Sequence, residues 1–229
     1  MHFEHWKPVY RRLLADFGFE RAAEERARDR LAGLTTAFDR DRLPPFEDAT
    51  VAVCGAASSL ADELAVARDM DLVVAASTAA DVCNTHGVAV DLHVTDLDGN
   101  PETAREISRD GTPVAVHAHG DNVPALEEQV PGLDDGWVLP TTQAEPRGPV
   151  ANFGGFTDGD RGAFLADHFG ADTLRFPGWE FDDPSVDETK RRKLRWAERL
   201  LYWLELRRDE EFAVLDGRRH DVDTSPLPI

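Results

Sequence analysis

Val51-Ala52-Val53-Cys54-Gly55-Ala56-Ala57-Ser58-Ser59-Leu60 reads as a short apolar strand, a turn of small residues and the start of a helix that runs through Arg68. The same unit then recurs. Leu72-Val73-Val74-Ala75-Ala76 is a second strand, followed by a helix or turn over Asp81 to His86. Ala89-Val90-Asp91-Leu92-His93-Val94 is a third, and a helix from Pro101 to Arg109 leads to Pro113-Val114-Ala115-Val116-His117. A helix from about Val123 to Val130 precedes Trp137-Val138-Leu139. Val150-Ala151-Asn152-Phe153, a helix near Arg161 to Phe169, and Thr173-Leu174-Arg175-Phe176 complete the series. Strands alternating with short helices predict an α/β domain with a mostly parallel sheet.

The flanks of this series are helical. Phe3 to about Phe38 carries Leu13, Leu14, Phe17, Leu31, Leu34 and Phe38 around the charged run Glu24-Glu25-Arg26-Ala27-Arg28-Asp29-Arg30, until Leu43-Pro44-Pro45 ends it. Residues 1–45 are therefore expected to form an N-terminal helical segment, a packing appendage or a dimer arm, and 46–229 the α/β catalytic domain. From Ser185 to Arg208, Leu194, Ala197, Leu200, Leu201 and Leu204 recur at helical spacing, which predicts one long amphipathic helix. Phe212-Ala213-Val214-Leu215 is expected as a last edge strand, with a loose Pro-containing tail after Asp221.

The chain is 229 residues long and 41% hydrophobic, enough for one sizeable core. It carries 44 acidic and 25 basic residues, a formal charge of −19. Lysine occurs only at 7, 190 and 193. An Asp-rich, Lys-poor surface suits a salt-loving organism, where ionic strength screens self-repulsion. It disfavours nucleic acid as a partner, since phosphate contacts need a basic patch. The two cysteines, Cys54 and Cys83, make neither a disulfide framework nor a paired metal motif. The absence of a long apolar run disfavours a membrane span and predicts a cytoplasmic protein. Oligomeric state is not written in the sequence, and a homo-oligomer stays open.

Three acidic, glycine-bearing clusters follow apolar runs, at the strand ends where ligands bind in open α/β sheets. In Thr95-Asp96-Leu97-Asp98-Gly99, continued extension would point Asp96 and Asp98 the same way, toward one Mg²⁺. The competing reading is a helix-entry turn, with Asn100 and Pro101 starting the next helix. In His117-Ala118-His119-Gly120-Asp121-Asn122, His117, His119 and Asp121 alternate. That spacing opens a zinc hydrolase motif, but Asn122 stands where that motif wants another histidine. The plainer expectation is that Asn122 caps the next helix, with Pro124 in its first turn. In Phe153-Gly154-Gly155-Phe156-Thr157-Asp158-Gly159-Asp160-Arg161, the end reads as a capping box, while the two glycines permit close backbone approach. The loop at Gly55, Ser58 and Ser59 offers backbone N–H groups to a phosphate.

Taken in order, these segments resemble the archaeal 6-hydroxymethyl-7,8-dihydropterin pyrophosphokinase family, whose catalytic-domain architecture is shared with thiamine pyrophosphokinases. Thr141-Thr142-Gln143 and Lys190-Arg191-Arg192-Lys193-Leu194 add to the likeness, which spans roughly Val51 to Leu204. One loop departs from it: the family's Gly-x-Gly-Pro-Ser-Leu stands here as Gly55-Ala56-Ala57-Ser58-Ser59-Leu60. The resemblance implies a Rossmann-like sheet. It also implies an ATP- and Mg²⁺-dependent transfer of diphosphate to a small pterin, with AMP released, on the way to a folate or methanopterin-type C1 carrier. Asp96, Asp98 and Asp121 are then the metal ligands, and His117 or His119 touches phosphate or takes the hydroxyl proton. Lys190, Lys193 and Arg161 are phosphate contacts. Thr141, Thr142, Gln143, Asn152 and Asn122, with Gly154, Gly155, Asp158 and Asp160, complete the nucleotide and pterin site.

Three rivals remain at this stage. Thiamine pyrophosphokinase shares the fold and the transfer. A zinc hydrolase would use the histidine cluster. A non-catalytic nucleotide-binding module would bind without turnover.

Overall fold

The computed structural model describes residues 1–229. Its centre is a six-stranded sheet, parallel at every pairing, in the order β5-β4-β3-β2-β1-β6. The strands are β1 (Thr50–Cys54), β2 (Leu72–Ala76), β3 (Leu92–Thr95), β4 (Val114–Ala118), β5 (Val138–Thr142) and β6 (Thr173–Arg175). Between them run α3 (Leu60–Arg68), α4 (Ala79–Thr85), α5 (Pro101–Arg109), α6 (Val123–Gln129) and α7 (Asp158–His168), preceded by α1 (Phe3–Phe17) and α2 (Arg21–Ala32) and followed by α8 (Glu188–Arg208). The expected α/β class and the long last helix are both present.

Strand side chains alternate between two cores, as the pleat requires. Val51, Val53, Leu72, Val74, Leu92 and Val94 face one core with Phe164 of α7 and Trp196, Leu200 and Leu204 of α8. Ala52, Cys54, Val73, Ala75, Val114 and Val116 face the other, with Leu60, Leu64 and Ile107 from the crossover helices. Both faces are covered, which is why the strands read as continuous apolar runs. α7 lies across β1, β2 and β3. It comes that close because residue 162 is glycine: a Cβ there would sit 2.9 Å from Val74 Cγ1.

The N-terminal helices straddle the β5 edge. Trp6, Val9, Tyr10 and Leu13 of α1 enter the first core, while Ala27 and Leu31 of α2 enter the second. The outer edge of β5 is covered by the Ala151 segment, with the Thr142 N–H donating to Ala151 O and the Ala151 N–H to Pro140 O, both at 2.9 Å.

Two expected strands are not formed. Val150–Phe153 makes only isolated bridges, Thr141 with Ala151 and Arg147 with Val150. Asn152 Oδ1 then accepts the Gly154 N–H at 2.9 Å and turns the chain away. Phe212–Leu215 forms no edge strand; Ala213–Leu215 is a 3₁₀ turn. The Phe212 N–H donates to Glu205 at 2.6 Å, and its ring packs on Phe176 with centroids 4.8 Å apart. No helix is long and apolar enough to cross a membrane.

Candidate active site

A cavity of about 260 Å³ opens over the carboxyl ends of the strands. It is walled by Gly55 and Ala57 after β1, Ser77 after β2, Asp96 and Asp98 after β3, His119 and Asp121 after β4, and Gln143 after β5. The start of α7 and the first turns of α8 close it, with Asp158, Arg161, Lys190 and Lys193.

Asp96 and Asp98 meet, but not by extension. Leu97 lies in the left-handed region at φ 67, a costly conformation for a non-glycine residue and one that clusters at functional sites. Thr95 Oγ1 accepts the Leu97 N–H at 2.9 Å, and Asp96 Oδ1 accepts the Asp98 N–H at 3.2 Å. The turn folds Asp98 back onto Asp96. Burial works to raise Asp96. The hydrogen bonds from His119 and Asp98, and the Arg161 charge, outweigh it and hold Asp96 well below the usual carboxylate range. Asp98 shares a hydrogen bond with Asp96 and is partly buried, which pushes it up to about 6. Asp158 is pushed up to about 7 by burial and the nearby charge of Asp96, with Arg161 opposing. Three carboxylates thus share one field that Arg161, at 2.7 Å from Asp158, only partly neutralises.

The donor set is one for a hard divalent cation. Asp96 and Asp98 offer paired oxygens, and Asp158 adds charge. No three His, Cys, Asp or Glu side chains converge as a closed cage. Mg²⁺ is ordinarily held by one or two carboxylates plus substrate phosphates and waters, so an open pair fits it. Asp121, expected as the third ligand, is exposed at the cavity wall and takes no part in the Asp96–Asp98 contact.

The two histidines part company. His119 lines the cavity, with Nε2 3.3 Å from Asp96 Oδ2. His117 is buried outside it: Nδ1 lies 3.0 Å from Thr141 Oγ1, and Nε2 has no partner. Burial, then the Arg161 and His119 charges, push its pKa well down, so it stays neutral. Asn122 occupies the N-cap position of α6 but does not cap with its side chain. Its amide donates to the Asp96 carbonyl at 2.9 Å and the His117 carbonyl at 2.8 Å, and its Oδ1 accepts the His119 N–H at 3.0 Å. It ties the ends of β3 and β4 together.

Several expected ligand contacts are engaged internally and lie outside the cavity wall. Thr141 donates to Val116 O, Thr142 to Ala118 O, and Asn152 to Ala144 O. Asp160 is fully buried in the anticipated capping box with Thr157. Gly154 and Gly155 both have positive φ; a Cβ on Gly155 would lie 2.7 Å from the Arg161 backbone nitrogen. Those glycines seat the loop on α7. Ser58 and Ser59 also lie away from the cavity, and the Gly55 and Ala57 N–H groups donate to Pro177 O and Gly178 O. That loop is bolted to the segment after β6 and is no open phosphate cradle.

Trp179 was not anticipated. Its Nε1 donates to Val53 O at 2.8 Å, and its ring lines the cavity against Gly159, where a Cβ would sit 2.6 Å from the indole. Glycine at the second position of a helix beside a lone tryptophan was the only sequence signal, and 20 residues separate the two.

Comparison with known proteins identifies the family. Residues 30–185 match the family model described as 6-hydroxymethylpterin diphosphokinase MptE-like. The chain is 37% identical over 224 residues to the 6-hydroxymethyl-7,8-dihydropterin pyrophosphokinase of Methanothermobacter thermautotrophicus, covering 90% of this chain and 96% of the relative. It is 36% identical to the protein of the same name from Pyrococcus furiosus, over 89% of this chain and 94% of that one. The Methanocaldococcus jannaschii counterpart is 29% identical over 93% and 99%.

Proposed function

From the premise that this chain belongs to the MptE-like 6-hydroxymethylpterin diphosphokinase family, and is a diphosphokinase, we propose that it transfers diphosphate from ATP to 6-hydroxymethyl-7,8-dihydropterin. The products are the pterin diphosphate and AMP, on a route toward folate or methanopterin-type C1 carriers. The pterin hydroxyl oxygen forms a bond to the β-phosphorus. The bond from that phosphorus to the α,β-bridging oxygen breaks, the oxygen leaves with AMP, and the hydroxyl proton passes to a base.

The observation that carries this reading is the folded-back Asp96–Asp98 pair facing Arg161 and Lys193 across one cavity. Asp96 and Asp98 would hold Mg²⁺, with Asp158 supplying further negative charge and Asp121 reached through water. When bound, Mg²⁺ would neutralise phosphate charge and hold the β-phosphorus for attack. Arg161, Lys190 and Lys193 contact phosphate oxygens as charge moves onto the leaving AMP. His119, the histidine at the cavity wall, donates from Nε2 to the ionised Asp96, and takes the hydroxyl proton once that carboxylate turns to the metal. His117 orders the β4 end from behind.

The test is AMP release by purified protein in high salt with ATP, Mg²⁺ and either 6-hydroxymethyl-7,8-dihydropterin or thiamine. AMP with the pterin alone is expected. AMP with thiamine alone, or with neither, overturns the reading.

A further inference from the structure

Glu24 of α2 is buried at 2% exposure, far in sequence from every strand-end loop. Its carboxylate joins two of them: Oε1 accepts the Gly120 N–H at 3.1 Å, and Oε2 accepts from Gln143 Nε2 at 2.7 Å. The Gln143 amide nitrogen must face that carboxylate, because an amide oxygen there would oppose it. The Gln143 Oε1 is therefore fixed on the other side, buried and without a hydrogen-bond partner, in a residue that lines the cavity. A second contact holds the backbone of the same residue: Trp6 Nε1 of α1 donates to Gln143 O at 3.0 Å. The linker between α1 and α2 adds Phe19 to the cavity wall beside Phe156. Phe17 stacks on Phe19 with centroids 5.3 Å apart and packs on Phe156 at 5.0 Å.

We propose that the N-terminal helices build the acceptor-ring end of the site, with Glu24 as a positioning residue that presents Gln143 Oε1 to the N–H edge of a 2-amino-4-oxo heterocycle. The inference rests on the diphosphokinase reading and says which end of the cavity takes which ring. A pterin shows two adjacent donors on that edge, N3–H and the 2-amino group. Adenine can donate to that oxygen only from its 6-amino group, with an acceptor nitrogen beside it, so it satisfies the acceptor less well than two adjacent donors do. A buried polar atom left unpaired is costly, so the ring that supplies an N–H is selected. The reach is right as well. β5 and β3 are two strands apart, about 10 Å at the usual strand spacing, which a bicyclic ring with a one-carbon arm can span to bring its hydroxyl to Asp96 and Asp98. The Trp179 side, over β1 and β6, is left to the nucleotide.

The experiment is steady-state AMP release by the full chain and by Glu24→Gln, with ATP and dihydropterin varied in turn. A glutamine at 24 cannot accept from both Gly120 and Gln143 without presenting a donor to one of them, or else Gln143 turns its amino group to the ligand. The KM for the dihydropterin is expected to rise about tenfold, the effect of one lost charge-assisted hydrogen bond, while the KM for ATP stays within about twofold. Discrimination against the analogue with oxygen in place of the 2-amino group is expected to shrink in parallel. If Glu24→Gln does not fold, Phe19→Leu carries the same test, with the dihydropterin KM again rising alone. Equal change in both KM values, or a rise for ATP alone, overturns the inference and leaves the diphosphokinase reading standing. No AMP from the unaltered chain with dihydropterin overturns both.

Discussion

His119 Nε2 lies 3.3 Å from Asp96 Oδ2, which joins the loop beyond β4 to the end of β3 at the centre of the cavity. The pair sets an imidazole against the carboxylate proposed to hold Mg²⁺, with Nε2 on the side of the ionised oxygen.

Replacing that carboxylate separates chemistry from folding. Asp96→Asn is expected to lower AMP release by about two to three orders of magnitude, since it removes charge from the reacting centre. The melting temperature should stay close to that of the natural chain, because the lost contacts to His119 and Arg161 are offset by relief of the like-charge crowding with Asp98 and Asp158. Turnover and thermal denaturation of the same preparation check it; near-full Mg²⁺-dependent activity sinks the metal assignment.

Gly159→Ala puts a methyl group 2.6 Å from the Trp179 ring, so the indole must leave the cavity wall or give up its bond to Val53 O. The KM for ATP is expected to rise about tenfold with little change for the pterin, consistent with loss of a stacking face. A tryptophan fluorescence shift should accompany it.

Gly162→Ala tests the approach of α7 to the sheet. The added Cβ would meet Val74 Cγ1 at 2.9 Å. Overpacking of this kind costs about 1–3 kcal/mol. Denaturant unfolding should show a lower midpoint with an unchanged slope.

His93 gives a signed pH dependence. It is fully buried on β3, with Nδ1 3.1 Å from Ala75 O, and burial pushes its pKa from 6.5 down to about 4. A depressed histidine contributes stability above its unfolded pKa and loses it as pH falls, because the unfolded chain takes up the proton first. Between pH 6.5 and 5 the loss is about 2 kcal/mol at 1.36 kcal/mol per unit. Paired melts of the natural chain and His93→Gln should converge as pH falls through this window; parallel curves contradict it.

The alternation of apolar runs and helices was legible because the central strands are buried on both faces, so most of their residues are apolar whichever way they point. The two strands that failed, at Val150–Phe153 and Phe212–Leu215, are apolar stretches whose neighbours decide otherwise. Asn152 turns one away, and Glu205 captures the amide of the other. The capping box at Thr157 and Asp160 was readable because its partners are three residues apart. Trp179 and Glu24 were not readable, since each meets its partners from a distant part of the chain.

Pattern along the chain was enough for the family, for the strand–helix order apart from Val150–Phe153 and Phe212–Leu215, and for naming Asp96, Asp98, His119, Asp158 and Arg161 as site residues, together with His117, Thr141, Thr142 and Asn152, which lie outside the cavity wall. These are properties of local pattern: apolar runs, turn residues and motif spacing. Packing across the fold decided how Asp98 reaches Asp96, which histidine meets the cavity, and that Asn122 braces two strands instead of capping a helix. It also decided that Glu24 lies behind Gln143, 119 residues away. The physical reason is that a buried polar group takes whatever partner the fold brings within hydrogen-bond reach, and that partner is set by packing across the sheet, not by distance along the chain.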